Sequence, residues 1–253
     1  MRTAPGRVVV VDDADALARE AAEEFARRAA AAAASRGRFT VALSGGSTPR
    51  RLYAMLSDPA APFCNAISWS RVHLFWSDER HVPPDDPQSN YRMARETLIS
   101  RVPIPAENVH RIEAELPDAA EAAARYDDEI ARFFALSPGE FPRFDLMLLG
   151  IGPEGHTASL FPGTKALEIR DRRVVENRVP TLNAFRITMT IPVFTRAAAV
   201  QFLISGEDKA PILRMIFDPD GPADALPCQL IRPESGDLIW LVDRAAAAGL
   251  PAP

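Results

Sequence analysis

Thirteen consecutive residues carry the densest chemistry in this chain: Gly150-Ile151-Gly152-Pro153-Glu154-Gly155-His156-Thr157-Ala158-Ser159-Leu160-Phe161-Pro162. An apolar run from Phe144 to Leu149 precedes them and reads as a buried strand. The three glycines let the backbone turn sharply and approach a ligand closely. Glu154 stands two residues before His156, so a carboxylate lies near an imidazole, as proton transfer requires. Thr157 and Ser159 are of the types that cap helices, which predicts a helix starting there. Its N-terminus would favour an anion. In open α/β sheets, ligands bind just outside the carboxyl ends of strands.

Three other segments offer complementary groups. Ser44-Gly45-Gly46-Ser47-Thr48 lies between a predicted strand and a predicted helix. Its glycines expose N–H groups and its hydroxyls add donors, which suits a phosphate. A plain glycine turn with Thr48 as N-cap and Pro49 at the first helical position explains the segment equally well. No Gly-Lys-Thr ends it, so it is not a Walker A loop. Asp78-Glu79-Arg80-His81 follows the apolar pair Phe75-Trp76. Such clusters are more often solvated loops, but the strand end favours function. Arg80 can hold a phosphate or carboxylate through paired hydrogen bonds. Asp78 can accept sugar hydroxyls or orient a protonated group; Glu79 and His81 have weaker claims. Lys209 lies near a predicted helix start, where an exposed ion pair is the plainer reading. Of the four histidines, His73 lies within a strand and His110 in a segment without other chemical signals. His156 is the catalytic candidate.

The elements that must position these groups alternate along the chain. Strands are predicted at Arg7 to Val11, Phe39 to Leu43, Arg71 to Trp76, Leu146 to Leu149, Arg186 to Ile191, Ala199 to Ile204 and Leu238 to Val242. Asp12 or Asp13 can cap an alanine-rich helix reaching about Ser35, with Leu17, Ala21 and Phe25 on one face. Further helices are expected from Ser89 or Asn90 to Leu98, from Asp118 to Leu136 and from Glu207 to Phe217. The alternation predicts an α/β fold: a modified doubly wound, Rossmann-like, mostly parallel sheet with helices on both faces. No linker divides the chain, so residues 1–253 are expected to form one domain.

Composition narrows the function further. The chain has 253 residues, 47% hydrophobic and 25% charged, as soluble globular proteins do. A net charge of −5 argues against general nucleic-acid or anionic-membrane binding, though a local basic cluster can still hold a phosphorylated molecule. Cys64 and Cys228 have no Cys-x-x-Cys spacing, and two small buried hydrophobes are the simpler reading. The start lacks a signal peptide's apolar segment and no stretch is long enough to span a bilayer, so a cytoplasmic protein is expected. No metal cluster is visible, and no obligate protein partner is evident.

The blocks Gly150 to Pro162, Leu43 to Pro49 and Trp76 to Pro83, the last with Ser89-Asn90-Tyr91 behind it, resemble the signature of the 6-phosphogluconolactonases, in the expected order. Weaker echoes occur at Arg186-Ile187-Thr188, Ser205 to Ala210 and Trp240 to Asp243. The resemblance implies hydrolysis of 6-phospho-D-glucono-1,5-lactone in the oxidative pentose phosphate pathway, without metal or cofactor. It implies that His156 is the general base, with Glu154 orienting or charge-matching it. Asp78 joins the catalytic group, while Ser44 to Thr48, Arg80, Lys209 and Arg186 bind the substrate and its phosphate. Three positions depart from the pattern: Glu154 replaces a common Asp, Thr181 to Phe185 replaces a proline-rich form, and Thr195 replaces a frequent Asn. Isomerases and deaminases of the same fold are the alternative. The deaminases follow Gly-His with an Ile-Ala-Phe-Asn-Glu-Pro type of sequence, whereas this chain has Thr-Ala-Ser-Leu-Phe-Pro. A non-catalytic sugar-phosphate sensor would usually carry a further domain, for which no residues are spare.

Overall fold

A computed structural model describes residues 6–218 and 226–250. Residues 1–5, read above for a leader, lie outside these. The principal sheet contains β1 (Arg7–Val11), β2 (Phe39–Leu43), β3 (Val72–Trp76), β5 (Leu146–Leu149), β8 (Ala199–Ile204) and β9 (Asp237–Asp243). Its order is β1-β9-β8-β5-β2-β3, and every neighbouring pair is parallel. Strands β2, β5 and β8 are buried at every residue, so both faces of the sheet are covered there. This is why they read as continuous apolar runs. From β2 the chain passes to β3 on one side, then returns to β5 on the other. That reversal opens a crevice at the strands' carboxyl ends.

Helix α1 (Ala14–Arg36) begins where Asp13 Oδ1 accepts from the N–H groups of Asp15 and Ala16, at 3.0 and 2.9 Å. It ends at Gly37, whose φ of 76° suits a residue without Cβ. Leu17, Ala21 and Phe25 are buried as expected, and the small Ala29 and Ala32 continue that face. The remaining helices are α2 (Ser47–Ser57), α3 (Pro62–Ala66), α4 (Asn90–Thr97), α5 (Ala119–Phe134), α6 (Ile191–Arg196), α7 (Ala210–Phe217) and α8 (Arg244–Ala247). The expected helix from Glu207 begins as a 3-10 turn, Glu207–Lys209, before α7.

A second, antiparallel sheet was not expected. Its order is β4 (Asp78–Arg80), β7 (Ala184–Met189) and β6 (Val174–Val179). The predicted Arg186 to Ile191 strand is thus β7, displaced toward the N-terminus, while β4 occupies what was read as a charged loop. Register places Asp78 opposite Thr188 and Arg80 opposite Arg186. It also pairs Thr188 with Val175 and Arg186 with Asn177.

Two tyrosines secure strand ends in the principal sheet. The Tyr53 hydroxyl accepts from Ser44 N–H at 3.1 Å and donates to Ser44 C=O at 2.8 Å. Tyr126 does the same for Trp76, at 2.8 and 3.2 Å. Burial pushes both phenols above their ordinary pKa, so they remain donors. Tyr126→Phe removes both bonds from a buried peptide, which costs about 1–3 kcal/mol. Thermal unfolding should show Tm falling by about 2–4 °C for each kcal/mol lost.

At the other end of β3, His73 Nδ1 lies 3.2 Å from His110 Nε2, and His110 Nδ1 lies 2.8 Å from Glu129 Oε1. Burial, then the charges of His110 and Arg38, lowers the His73 pKa from 6.5 to about 4. Between these values the unfolded chain binds the additional proton. The contribution to stability is therefore complete above pH 6.5 and disappears as pH falls toward 4. Denaturation measured across that window should show the decline, and His73→Leu should flatten it.

Candidate active site

Strands β3, β2, β5 and β8 are consecutive in the sheet, so the segments after their carboxyl ends share one edge. These segments bring Asp78, Ser44 to Thr48, His156 and Lys209 to that edge.

After β2, Ser44 is held by Tyr53 and Gly45 packs against Asn90. A Cβ at Gly45 would collide with Asn90 Oδ1. Gly46, at φ 110°, is the N-cap of α2 and supplies no side-chain capping bond. The cap therefore falls two residues before the expected Thr48, because the glycine backbone turns the chain earlier. Ser47 and Thr48 become the first two helical residues, in the turn where N–H groups lack intrahelical partners and the dipole favours an anion. Ser44 Oγ and Asn90 Oδ1 are buried without a hydrogen-bond partner. Asn90 Nδ2 donates to Asp78 C=O at 3.0 Å, joining this loop to β4.

The basic side of the site is formed by like charges. Arg80 and Arg186 stand directly opposite each other on β4 and β7. Neither makes a carboxylate ion pair among the described residues. Burial, followed by the charge of Arg80, lowers the Arg186 pKa, while Asp78 and Glu79 oppose that shift. Arg80 Nη1 donates to Gln88 C=O. Glu79 faces the protein and accepts from the N–H groups of Arg80, Asn90 and Tyr91 at 2.8, 2.7 and 2.8 Å. Ser89 Oγ also donates to it, at 3.1 Å. Burial pushes the Glu79 carboxyl up, against the pull of the three N–H groups.

The histidine loop follows β5. His156 Nδ1 lies 3.0 Å from Glu154 Oε2, although their alignment does not meet hydrogen-bond geometry. The longer Glu154 thus still places its carboxyl beside the ring. The imidazole stacks on Phe161, with centroids 4.1 Å apart and planes 20° from parallel. A Cβ at Gly152 would enter the imidazole, so the glycine gives the ring its place. Gly152 N–H donates to His156 C=O at 2.9 Å and closes the turn.

The helix expected at Thr157 does not form. Ala158 has a left-handed φ of 48°, which breaks helical continuation. The hydroxyls expected to cap it have other partners: Thr157 Oγ1 donates to Gly150 C=O at 2.9 Å, and Ser159 Oγ donates to Asp78 Oδ2 at 2.6 Å. The histidine loop therefore provides no anion-favouring helix end, and the one that follows the glycine pair Gly45-Gly46 is that of α2.

Asp78 is buried and bonded to the histidine loop through Ser159, with no hydrogen bond to the imidazole among the described residues. Lys209 lies 3.1 Å from Asp208, the local ion pair that was its plainer reading. His81 Nε2 lies 2.7 Å from Leu116 C=O, and His73 and His110 belong to the separate cluster described above. The sequence reading missed Phe161 as a stacking partner and Asn177 and Thr188 as loop contacts. Among the described residues, no group of three or more His, Cys, Asp or Glu could hold a metal ion. The geometry combines an imidazole beside a carboxylate with a helix N-terminus and two guanidiniums that have no carboxylate partner among the described residues. This set can move a proton at one end of an anionic molecule while holding the other.

Residues 12–240 match the family model described as glucosamine-6-phosphate isomerases/6-phosphogluconolactonase. A 6-phosphogluconolactonase of Nostoc sp. is 42% identical, over 96% of this chain and 98% of its own length. That of Synechocystis sp. is 43% identical, over 87% and 88% respectively. The structure of 6-phosphogluconolactonase from Trypanosoma cruzi superposes with a TM-score of 0.84 at 28% identity, covering 99% of this chain and 98% of that one. With the parallel sheet and the three motif blocks meeting at one edge, these matches show that the chain belongs to the glucosamine-6-phosphate isomerase/6-phosphogluconolactonase family.

Proposed function

We propose that the chain hydrolyses 6-phospho-D-glucono-1,5-lactone to 6-phosphogluconate, with His156 as general base. The observation that carries this reading is the Glu154–His156 pair, on the same sheet edge as the α2 N-terminus. A lactone is an activated ester and needs no covalent nucleophile. Water attacks C1 as His156 takes its proton, and Glu154 stabilises the resulting imidazolium. A tetrahedral oxyanion forms and is stabilised by hydrogen-bond donors. The ring C–O bond then breaks, and His156 returns the proton to the leaving ring oxygen. Asp78 supports the reacting centre from its place beside Ser159. Arg80, Arg186, Lys209 and Ser44 to Thr48 bind the phosphorylated substrate.

Residues 1–253 act as one domain in this reading, which the family match over 12–240 supports, and the cytoplasm is the expected setting. No helix among the described residues is long and apolar enough to cross a membrane.

His156→Ala should lose roughly 10²–10⁴-fold in hydrolysis, the usual contribution of general acid–base catalysis, while still binding 6-phosphogluconate. Lactone disappearance above the spontaneous rate and product titration measure the two effects. Activity within a few-fold of wild type would refute the base assignment. Arg80→Ala should raise KM for the phosphorylated lactone by about tenfold or more, because a charged contact is lost. It should cost a lactone lacking the 6-phosphate far less. Equal losses on both substrates would move Arg80 to the reacting carbonyl.

A further inference from the structure

Ser159 rests on one face of the antiparallel sheet and bonds to each of its three strands. Its Oγ donates to Asp78 Oδ2 on β4 at 2.6 Å, and its N–H donates to Thr188 Oγ1 on β7 at 3.3 Å. Its C=O accepts from Asn177 Nδ2 on β6 at 2.8 Å. The register explains the convergence, since directly opposed residues of antiparallel strands share a face. Asp78 aligns with Thr188, and Asn177 aligns with Arg186 and Arg80.

Asn177 reaches the imidazole's surroundings by two routes. One passes through Ser159, three residues after His156. The other passes through Thr164: Asn177 Nδ2 lies 3.0 Å from Thr164 Oγ1, which donates to Phe161 C=O at 2.7 Å. Phe161 is the ring on which His156 stacks. Both hydrogens of the amide nitrogen are thus directed at segments that fix the histidine. Asn177 is buried, at 2% exposure. A buried amide must have its hydrogen bonds satisfied, whereas an apolar side chain could fill similar space without that requirement.

We infer that Asn177 is a positioning residue for lactone hydrolysis, holding Ser159 and Phe161 so that His156 keeps its place over the reacting carbon. This rests on His156 being the base. Catalytic geometry is sensitive on this scale, because a displacement of about 1 Å can cost about 10²-fold in rate.

The test compares Asn177→Ala with wild type, on lactones with and without the 6-phosphate. The expected result is a kcat loss of about tenfold or more on both substrates. KM for the phosphorylated lactone and the dissociation constant of 6-phosphogluconate should stay within about twofold of wild type, and the kcat–pH limb belonging to His156 should shift. Asn177→Gln, which retains both donors, should recover part of the rate. If Asn177→Ala does not fold, Thr188→Val removes one hydroxyl from the same seat with little change in shape; it should lower kcat without weakening product binding. An unchanged kcat overturns the inference, as does a loss confined to the phosphorylated substrate or a loss shared equally by kcat and product binding. Loss of activity in His156→Ala beside a normal kcat in the Asn177 variant refutes positioning alone. Near-normal activity in His156→Ala refutes both readings.

Discussion

The Glu79 carboxylate joins parts that must act together. Its two oxygens accept from Arg80, Ser89, Asn90 and Tyr91, fastening β4 to the first turn of α4. Asn90 then packs at Gly45, and Arg80 faces Arg186. The α2 loop, the arginine pair and Asp78 are therefore referred to one buried acid. Glu79 is an N-terminal acceptor for α4, and burial makes removal of any one partner expensive. The sequence cluster Asp78-Glu79-Arg80 thus divides its labour by strand alternation. Glu79 points to the opposite face from its two neighbours, which point toward the site.

The two sheets perform different tasks. The parallel sheet gathers loops at one edge, where backbone N–H groups and a switch in strand order favour an anionic ligand. The antiparallel sheet supplies fixed side chains and a seat for the histidine loop. Placing Arg80 opposite Arg186 is unfavourable for the protein alone, since like charges on directly opposed residues repel. A phosphate between them would turn that repulsion into attraction. In the protein alone the pair is a local cost, seen in the lowered Arg186 pKa that burial and then Arg80 produce.

The buried parallel strands were legible because their apolar runs are continuous, and α1 because an aspartate cap precedes an alanine-rich run with Leu17, Ala21 and Phe25 on one face. His156 stood out as the sole histidine in a glycine-rich loop after a strand. The antiparallel sheet was obscured by its own composition. Strand β4 is three charged residues, and β6 places the polar Asn177 at a buried position among Glu176 and Arg178. Neither has an apolar alternation, because their buried polar groups are satisfied by hydrogen bonds to loop and helix-start residues that no strand pattern reveals. The hydroxyls of Thr157 and Ser159 fitted a helix cap by residue type. Tertiary contacts claimed them instead, and the left-handed Ala158 sends the chain elsewhere.

The partner of β4 is synthesised late. Thr188 lies more than a hundred residues beyond the Asp78 with which it pairs, and β6 also follows the histidine loop. Pairings this distant require closure of a long chain segment and form slowly relative to local contacts. A nascent chain ending before β6 would already contain Asp78, Arg80 and His156 but lack the platform that orients them. Completing the seat beneath the histidine loop therefore depends on closing a long chain segment, which the pairing of neighbouring parallel strands such as β2 and β3 does not require to the same extent.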